Sequence, residues 1–455
     1  MLGFGSVGQG VLPLLLRGLR LRPQQITLLK AHAQGAEPAA QAGVECVVAA
    51  LTADNLHAQL APRLSTGDVL LNLAVDVSSV ALVEWCAMHD VLYVDTCIEP
   101  WAGGFLTPGS TAASRSNHAL REAALALRRP GTATAVLTHG ANPGLVSHFV
   151  KQALLDLAAD AGAPLRAPST RTGWAELAQR LGVRVIHIAE RDTQVGARRK
   201  AIGEFVNTWS CEAFIDEATQ PAELGWGTHE QTFPSDAARH AARGAASIYL
   251  QRPGGATRVR SWTPSGGAMH GLLVTHAEAI SIAALLTLGD PASPTYRPTV
   301  HYAYHPCDDA VLSLHELAGR NWHPQRRQRL LRDDIDAGID ELGVLLMGPA
   351  RGAYWYGSRL SIDEARALAP ANNATTLQVA AGVLGGLVWA LRHPHAGIVE
   401  PDDIDFAEVL AVARPYLGPV DGVYTDWTPL VDRGWLFDET VDRSDPWQFV
   451  NFRVE

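Results

Sequence analysis

A glycine-rich hexapeptide begins at the third residue of this chain and limits the fold more than any other feature. Gly3-Phe4-Gly5-Ser6-Val7-Gly8 has the G-x-G-x-x-G spacing. In that pattern the first glycine makes a tight turn. The second lets backbone approach a pyrophosphate, and the third lets helix and strand pack closely. The helix that follows aims free N–H groups at phosphate. An ordinary glycine turn can carry the same letters, so context decides. Here a helical stretch follows at once and a strand-like run comes next, at 26–29. That context favours a dinucleotide site built on Gly3, Gly5, Ser6, Val7 and Gly8.

The first 144 residues repeat this alternation. Apolar runs at 26–29, 44–49, 69–75, 92–95 and 133–138 read as buried parallel strands, with helices at 55–64, 80–89 and 117–129. The prediction is an α/β, Rossmann-like, doubly wound parallel sheet. Only Met1 and Leu2 precede Gly3, so its first strand is truncated. After Gly144 the pattern shifts to a long amphipathic helix at 145–161 and alternating strands at 185–189, 205–210, 247–251, 258–262 and 301–304. These predict a second, α+β domain over 145–375. A C-terminal segment covers 376–455, and its apolar helix at 377–391 packs back on the first domain.

Other classes are disfavoured. A formal net charge of -10 argues against a nucleic-acid binder. The 377–391 run is broken by Gln378 and three glycines, is short for a membrane span, and reads as a buried helix. Five scattered cysteines with no CxxC read as reduced cytoplasmic thiols, without a disulfide frame or zinc site. His301 and His305 share a strand face, but no third ligand accompanies them, so no metal is expected. Arg198-Arg199-Lys200 reads as a solvated loop.

An NAD-specific site usually has an acid at the end of the second strand. This chain has Lys30 there, which would suit a 2′-phosphate, so NADP stays open beside NAD. Three polar residues sit where ligands bind in such sheets, beyond the strands' carboxyl ends: Asp76, Glu99, and Asn142 in Gly140-Ala141-Asn142-Pro143-Gly144. Each alone could be a cap or turn residue. The second domain adds Glu190, Trp209, Glu217 and His276. Glu190 and Glu217 could equally be surface acids, and Trp209 a core residue. Carboxylates with an aromatic face suit amines, because a ring attracts a desolvated ammonium by about 2 kcal/mol. A diamine needs acid at both ends.

These residues, with Asp95-Thr96-Cys97-Ile98-Glu99-Pro100-Trp101, His187-Ile188-Ala189-Glu190-Arg191-Asp192 and Phe205-Val206-Asn207-Thr208-Trp209-Ser210, give a chain that resembles the bacterial homospermidine synthases over nearly its whole length. The resemblance implies a saccharopine dehydrogenase-like architecture and a homodimer. It implies that NAD takes a hydride from putrescine, that a second putrescine displaces ammonia, and that the hydride returns to give sym-homospermidine. Spermidine is an alternative donor, with release of diaminopropane. Carried over residue by residue, Glu190, Trp209, Asn142 and His276 are catalytic. Asp76, Glu99, Glu190, Trp209, Glu217 and His276 bind substrate, and Asn142 also touches cofactor. The rival readings are a simple saccharopine dehydrogenase-like oxidoreductase acting on an amine or imine, and a non-catalytic truncated homologue.

Overall fold

The structure is a computed structural model that describes every residue except 107–108, 163–165, 243 and 455, and the side chain of residue 106. The strand-like runs in the first part form a parallel sheet. Its order is Glu45–Val48, Thr27–Lys30, Leu2, Val69–Asn72, Leu92–Asp95, Ala135–Val136, Ile398–Val399. This is the doubly wound order, with the reversal at Leu2. The first strand is short but present. Leu2 donates to Leu71 O and accepts from Leu73 N, both at 2.8 Å. On its other side, Leu29 N donates to Met1 O and Gly3 N donates to Leu29 O, both at 2.9 Å. The stub lies at the end of the sheet where the glycine turn begins, so it aims that turn despite its length.

The second part forms a mixed sheet ordered Ala237–Arg239, Ser247–Pro253, Pro221–Gly225, Thr299–His305, Val185–Asp192, Ile339–Met347, Ala353–Ser361, Val420–Thr425. Strand alternation divides its two faces. Ile186, Ile188 and Tyr302 join the core shared with helix Leu145–Asp160. Val185, Ala189 and Ala303 face a smaller core with Trp355, Phe449 and Phe452. The hairpin Arg258–Thr263/Gly267–Leu272 and strand Arg453–Val454 belong to the same sheet. His301 lies on the second face, its ring 4.0 Å from that of His187 and edge-on to Phe449 and Phe452. Burial pushes it down to about 4, so it packs as a neutral ring.

The chain beyond residue 373 serves both sheets. Helix Ala374–Arg392 packs along helix Ser6–Gly18, Ile398–Val399 extends the first sheet, and Val420–Thr425 edges the second. With a mean hydropathy of 1.6, that helix is long and apolar enough to cross a membrane, which corrects the shorter span read from the sequence. Yet 83% of its apolar window is buried inside the protein, so it is a core helix. Its glycines explain how it fits. A Cβ on Gly382 would stand 2.0 Å from Gly140 O, and one on Gly386 would stand 2.7 Å from the His139 ring. Each interior glycine costs about 1 kcal/mol relative to alanine. Here the pair lets the helix rest directly on the 139–144 turn.

The basic stretch at 198–200 is more anchored than a solvated loop. Arg198 pairs with Glu204 at 2.5 Å, Arg199 with Asp309 at 3.0 Å, and Lys200 with Glu316. Three acids on neighbouring elements therefore tie this loop beside strand Glu204–Asn207, which leads to Trp209.

Candidate active site

A cavity of about 760 Å³ runs from the glycine turn into the seam between the two domains. Gly3 through Gly8 line one end. Gly3 has φ +81°, and a Cβ there would lie 2.6 Å from Leu73 O. Gly5 has open space where a Cβ would project, and on Gly8 it would meet Gly3 O at 3.1 Å. Tight turn, open backbone and close packing are the three tasks a pyrophosphate turn requires. Helix Ser6–Gly18 starts there with no side chain capping its free N–H groups. These residues fit a dinucleotide. Lys30 is buried in the same wall, 5.6 Å from the Phe4 ring, with its Nζ donating to Gln34 O at 2.6 Å.

The turn at 140–144 is the bridge to the second domain. Asp95, fully buried at the end of its strand, accepts from Thr138 N at 2.6 Å through its side chain and from His139 N at 2.7 Å through its carbonyl. Gly140 N then donates to Pro143 O at 2.8 Å and closes the loop. The result presents Asn142, whose Nδ2 donates to Glu190 Oε2 at 2.6 Å and to Tyr302 Oη at 2.7 Å. Tyr302 Oη donates to the same Glu190 oxygen. Burial pushes Glu190 up to about 8, although both hydrogen bonds favour its charged form.

Beyond Glu190 the wall is aromatic. Tyr302 and Tyr304 stack with centroids 5.2 Å apart and planes 3° from parallel. Trp209 Nε1 donates to Tyr304 Oη at 3.4 Å, and the indole packs on Phe214. His276 lies against Tyr302 at 4.3 Å between ring centroids. Its Nδ1 hydrogen-bonds Glu278 at 3.1 Å, while its Nε2 stands 3.2 Å from Glu217 Oε2. Burial alone would lower His276, but Glu278 and Glu217 outweigh it and hold the imidazole well above its usual range. Glu278 is the hydrogen-bonded counter-ion. Glu217 is raised by burial, an effect that the neighbouring His276 charge partly offsets, and it lines the cavity.

The acids continue toward the opposite wall. Glu99 is buried four residues beyond strand Leu92–Asp95 and is pushed up to about 7, first by burial and then by Asp216 and Asp76. Asp216 is likewise raised to about 7 by burial, with Asp76, Glu217 and Glu212 adding to it. Asp76 follows its strand by four residues, at φ +61°, exposed at the rim rather than on the cavity wall. Six of the predicted residues (Glu99, Asn142, Glu190, Trp209, Glu217 and His276) therefore line one cavity, with Asp76 at its edge. Asp216, Tyr302 and Glu278 were not predicted. The alternation in His301-Tyr302-Ala303-Tyr304-His305 places the tyrosines on the face opposite the histidines, and it carried the signal for Tyr302. Among the described residues no group of three or more His, Cys, Asp or Glu is arranged to hold a metal.

A doubly wound sheet whose ligand edge meets an acid-and-tryptophan cavity on a second domain defines a two-domain, dehydrogenase-type protein. Residues 1–136 match the saccharopine dehydrogenase NADP binding domain, and residues 140–424 match the saccharopine dehydrogenase C-terminal domain. Homospermidine synthase from Blastochloris viridis is 52% identical over 460 residues, covering 100% of this chain and 96% of that one. The Mesorhizobium japonicum homospermidine synthase is 50% identical over 463 residues with the same coverage. The crystal structure of Legionella pneumophila homospermidine synthase in complex with NAD superposes with a TM-score of 0.94 at 49% identity, covering 100% and 97% of the two chains. The chain belongs to the homospermidine synthases, within the saccharopine dehydrogenase family.

Proposed function

We propose that this protein joins two putrescines, or spermidine and putrescine, into sym-homospermidine with NAD as a recycled hydride carrier. The observation that carries this reading is the knot of Asn142, Glu190 and Tyr302, where the dinucleotide cavity meets an acid-lined arm walled by Trp209. A bound NAD supplies a hydride acceptor that becomes the donor for the last step. Gly3, Gly5, Ser6, Val7 and Gly8 hold its pyrophosphate, and Asn142 fixes the turn beside it.

The chain's own residues deal with charge. An alkylammonium keeps its proton to about pH 10, like a lysine, and attacks only when neutral. Glu190, held near 8, is matched to accept that proton and return it. Trp209 stabilises the cationic carbon–nitrogen end over its ring. Glu99 and Glu217 anchor the distal ammonium with Asp76 at the rim, and an unpaired charge at the depth of the first two would be costly. His276, charged against Glu278, fixes Glu217 and orients the reacting amine. The scattered free thiols fit the reducing cytoplasm, and a homodimer is the proposed assembly. The test is incubation with NAD and putrescine followed by mass spectrometry. Homospermidine supports the reading, whereas stoichiometric NADH without it favours a simple amine oxidoreductase.

A further inference from the structure

Two buried carboxyls lie behind Glu190 without lining the cavity. Asp192 follows Glu190 by two residues on strand Val185–Asp192 and so shares its face. Asp340, on Ile339–Met347, stands directly opposite Asp192 in antiparallel register. Such partners hold their Cβ atoms about 5 Å apart. Asp192 is 1% exposed and Asp340 fully buried. The charged or titratable groups around them are Glu190 on the same strand, Tyr304 on strand Thr299–His305, Cys307 at the start of helix Asp308–Gly319, and Glu341. Glu341 points to the other face, toward Thr263 and Ser265. Among the described residues no lysine or arginine pairs with either aspartate.

Their hydrogen bonds are unequal. Asp192 Oδ1 accepts from Gln194 N at 2.8 Å and from its Nε2 at 3.1 Å, and Oδ2 accepts from Thr208 at 2.7 Å. Asp340 Oδ2 accepts only from Thr375, at 2.6 Å. Thr375 in turn accepts from Gln194 Nε2 at 3.0 Å, and its hydroxyl lies within reach of both carboxyls. Asp340 Oδ1 is buried with no partner. Three donors on Asp192 against one on Asp340 favour the ionised form at Asp192.

We propose that Asp192 and Asp340 are a carboxylate–carboxyl pair, with the charge on Asp192 and the proton on Asp340, and that this single fixed charge sets the protonation of Glu190. Two facing buried carboxyls without a cation cannot both ionise. The directions agree. Burial pushes Asp192 only to about 6 but Asp340 well above the carboxylate range, with Glu190 and Asp192 adding to the latter. Asp192 in turn disfavours the charged form of Glu190. Both aspartates are positioning residues. Their effect on catalysis rests on Glu190 exchanging a substrate proton, whereas the state of the pair does not.

The test has two independent arms. Infrared difference spectra of wild type against Asp340→Asn at pH 7, followed at the carbonyl stretch of a protonated carboxyl, should show one such band lost. An unchanged band overturns the pair. In the second arm, Asp192→Asn should move the Glu190 limb of kcat/KM for putrescine down by roughly one pH unit or more. Asp340→Asn, which mimics the protonated partner, should leave that limb in place. An unmoved limb in Asp192→Asn, or an equal shift in Asp340→Asn, overturns the control of Glu190. If Asp192→Asn does not fold, the band of Asp340→Asn still decides the state of the pair, and a moved limb in that variant overturns the control of Glu190. If wild type makes no homospermidine, the proposed function fails and the infrared arm still judges the pair.

Discussion

Asn142 Nδ2 donates to Glu190 Oε2 at 2.6 Å, and this bond joins the turn of one domain to the buried carboxyl of the other. The contact makes Glu190 part of the dinucleotide edge, although it grows from a different sheet. Replacing Asn142 by alanine removes a donor that favours the ionised carboxyl. Losing a charge-assisted hydrogen bond costs about 2 kcal/mol, so kcat/KM should fall about thirtyfold. The Glu190 limb of the pH profile should move to higher pH. A limb that stays in place in Asn142→Ala would show that the bond does not tune Glu190.

Trp209 offers its face to a cation and its Nε1 to Tyr304. Trp209→Ala should weaken turnover of putrescine by roughly ten- to thirtyfold, and Trp209→Phe by less, because the ring survives. Steady-state kinetics of both variants check this. Equal losses in the two would mean that the Tyr304 hydrogen bond matters more than the π face.

The raised acids predict an unusual pH response. Glu99 and Asp216 stand at about 7 and Glu190 at about 8, against about 4 in an unfolded chain. A raised folded pKa stabilises the protein fully below the unfolded value, and the benefit is lost as pH rises through the folded value. The ligand-free protein should therefore lose thermal stability progressively between about pH 4 and pH 8, with little further loss from these groups above that. Putrescine should restore more of it at the upper end, where the carboxylates are charged and waiting for ammonium. Melting curves with and without putrescine across this window measure both. A putrescine effect that shrinks with rising pH would contradict the assignment of these acids as anchors.

Two glycines separate cofactor grip from folding. Gly5 is at φ -76° with nothing within 4 Å of where a Cβ would project, so Gly5→Ala should keep the melting temperature yet weaken dinucleotide binding at least tenfold. Gly382→Ala, with its Cβ 2.0 Å from Gly140 O, should lower the melting temperature and disturb the turn that carries Asn142. Calorimetry and dinucleotide titration of the pair distinguish these outcomes.

The legible parts of the molecule are those written in local pattern. The glycine turn, the strand–helix alternation and the acids at strand ends can be read because each depends on neighbours in sequence. Strand Ile398–Val399 cannot, because two residues that pair with Ala135–Val136, 263 residues earlier, leave no periodic trace. Asp216 is inconspicuous beside Glu217, since only the way helix Cys211–Thr219 sits against the cavity shows that both acids reach it. Tyr302 is hidden behind the more conspicuous histidines on the opposite face. The ion pairs of Arg199 and Lys200 are made with acids over a hundred residues distant. Chain order carries none of that.

A hydride that leaves putrescine and comes back within one turnover is the core of the proposed reaction. The direct measurement supplies the enzyme with excess putrescine and limiting NAD, and counts homospermidine against reduced nicotinamide. Recycling predicts many homospermidines per NAD with no lasting rise in nicotinamide absorbance. One NADH per putrescine consumed, with no homospermidine, would contradict it.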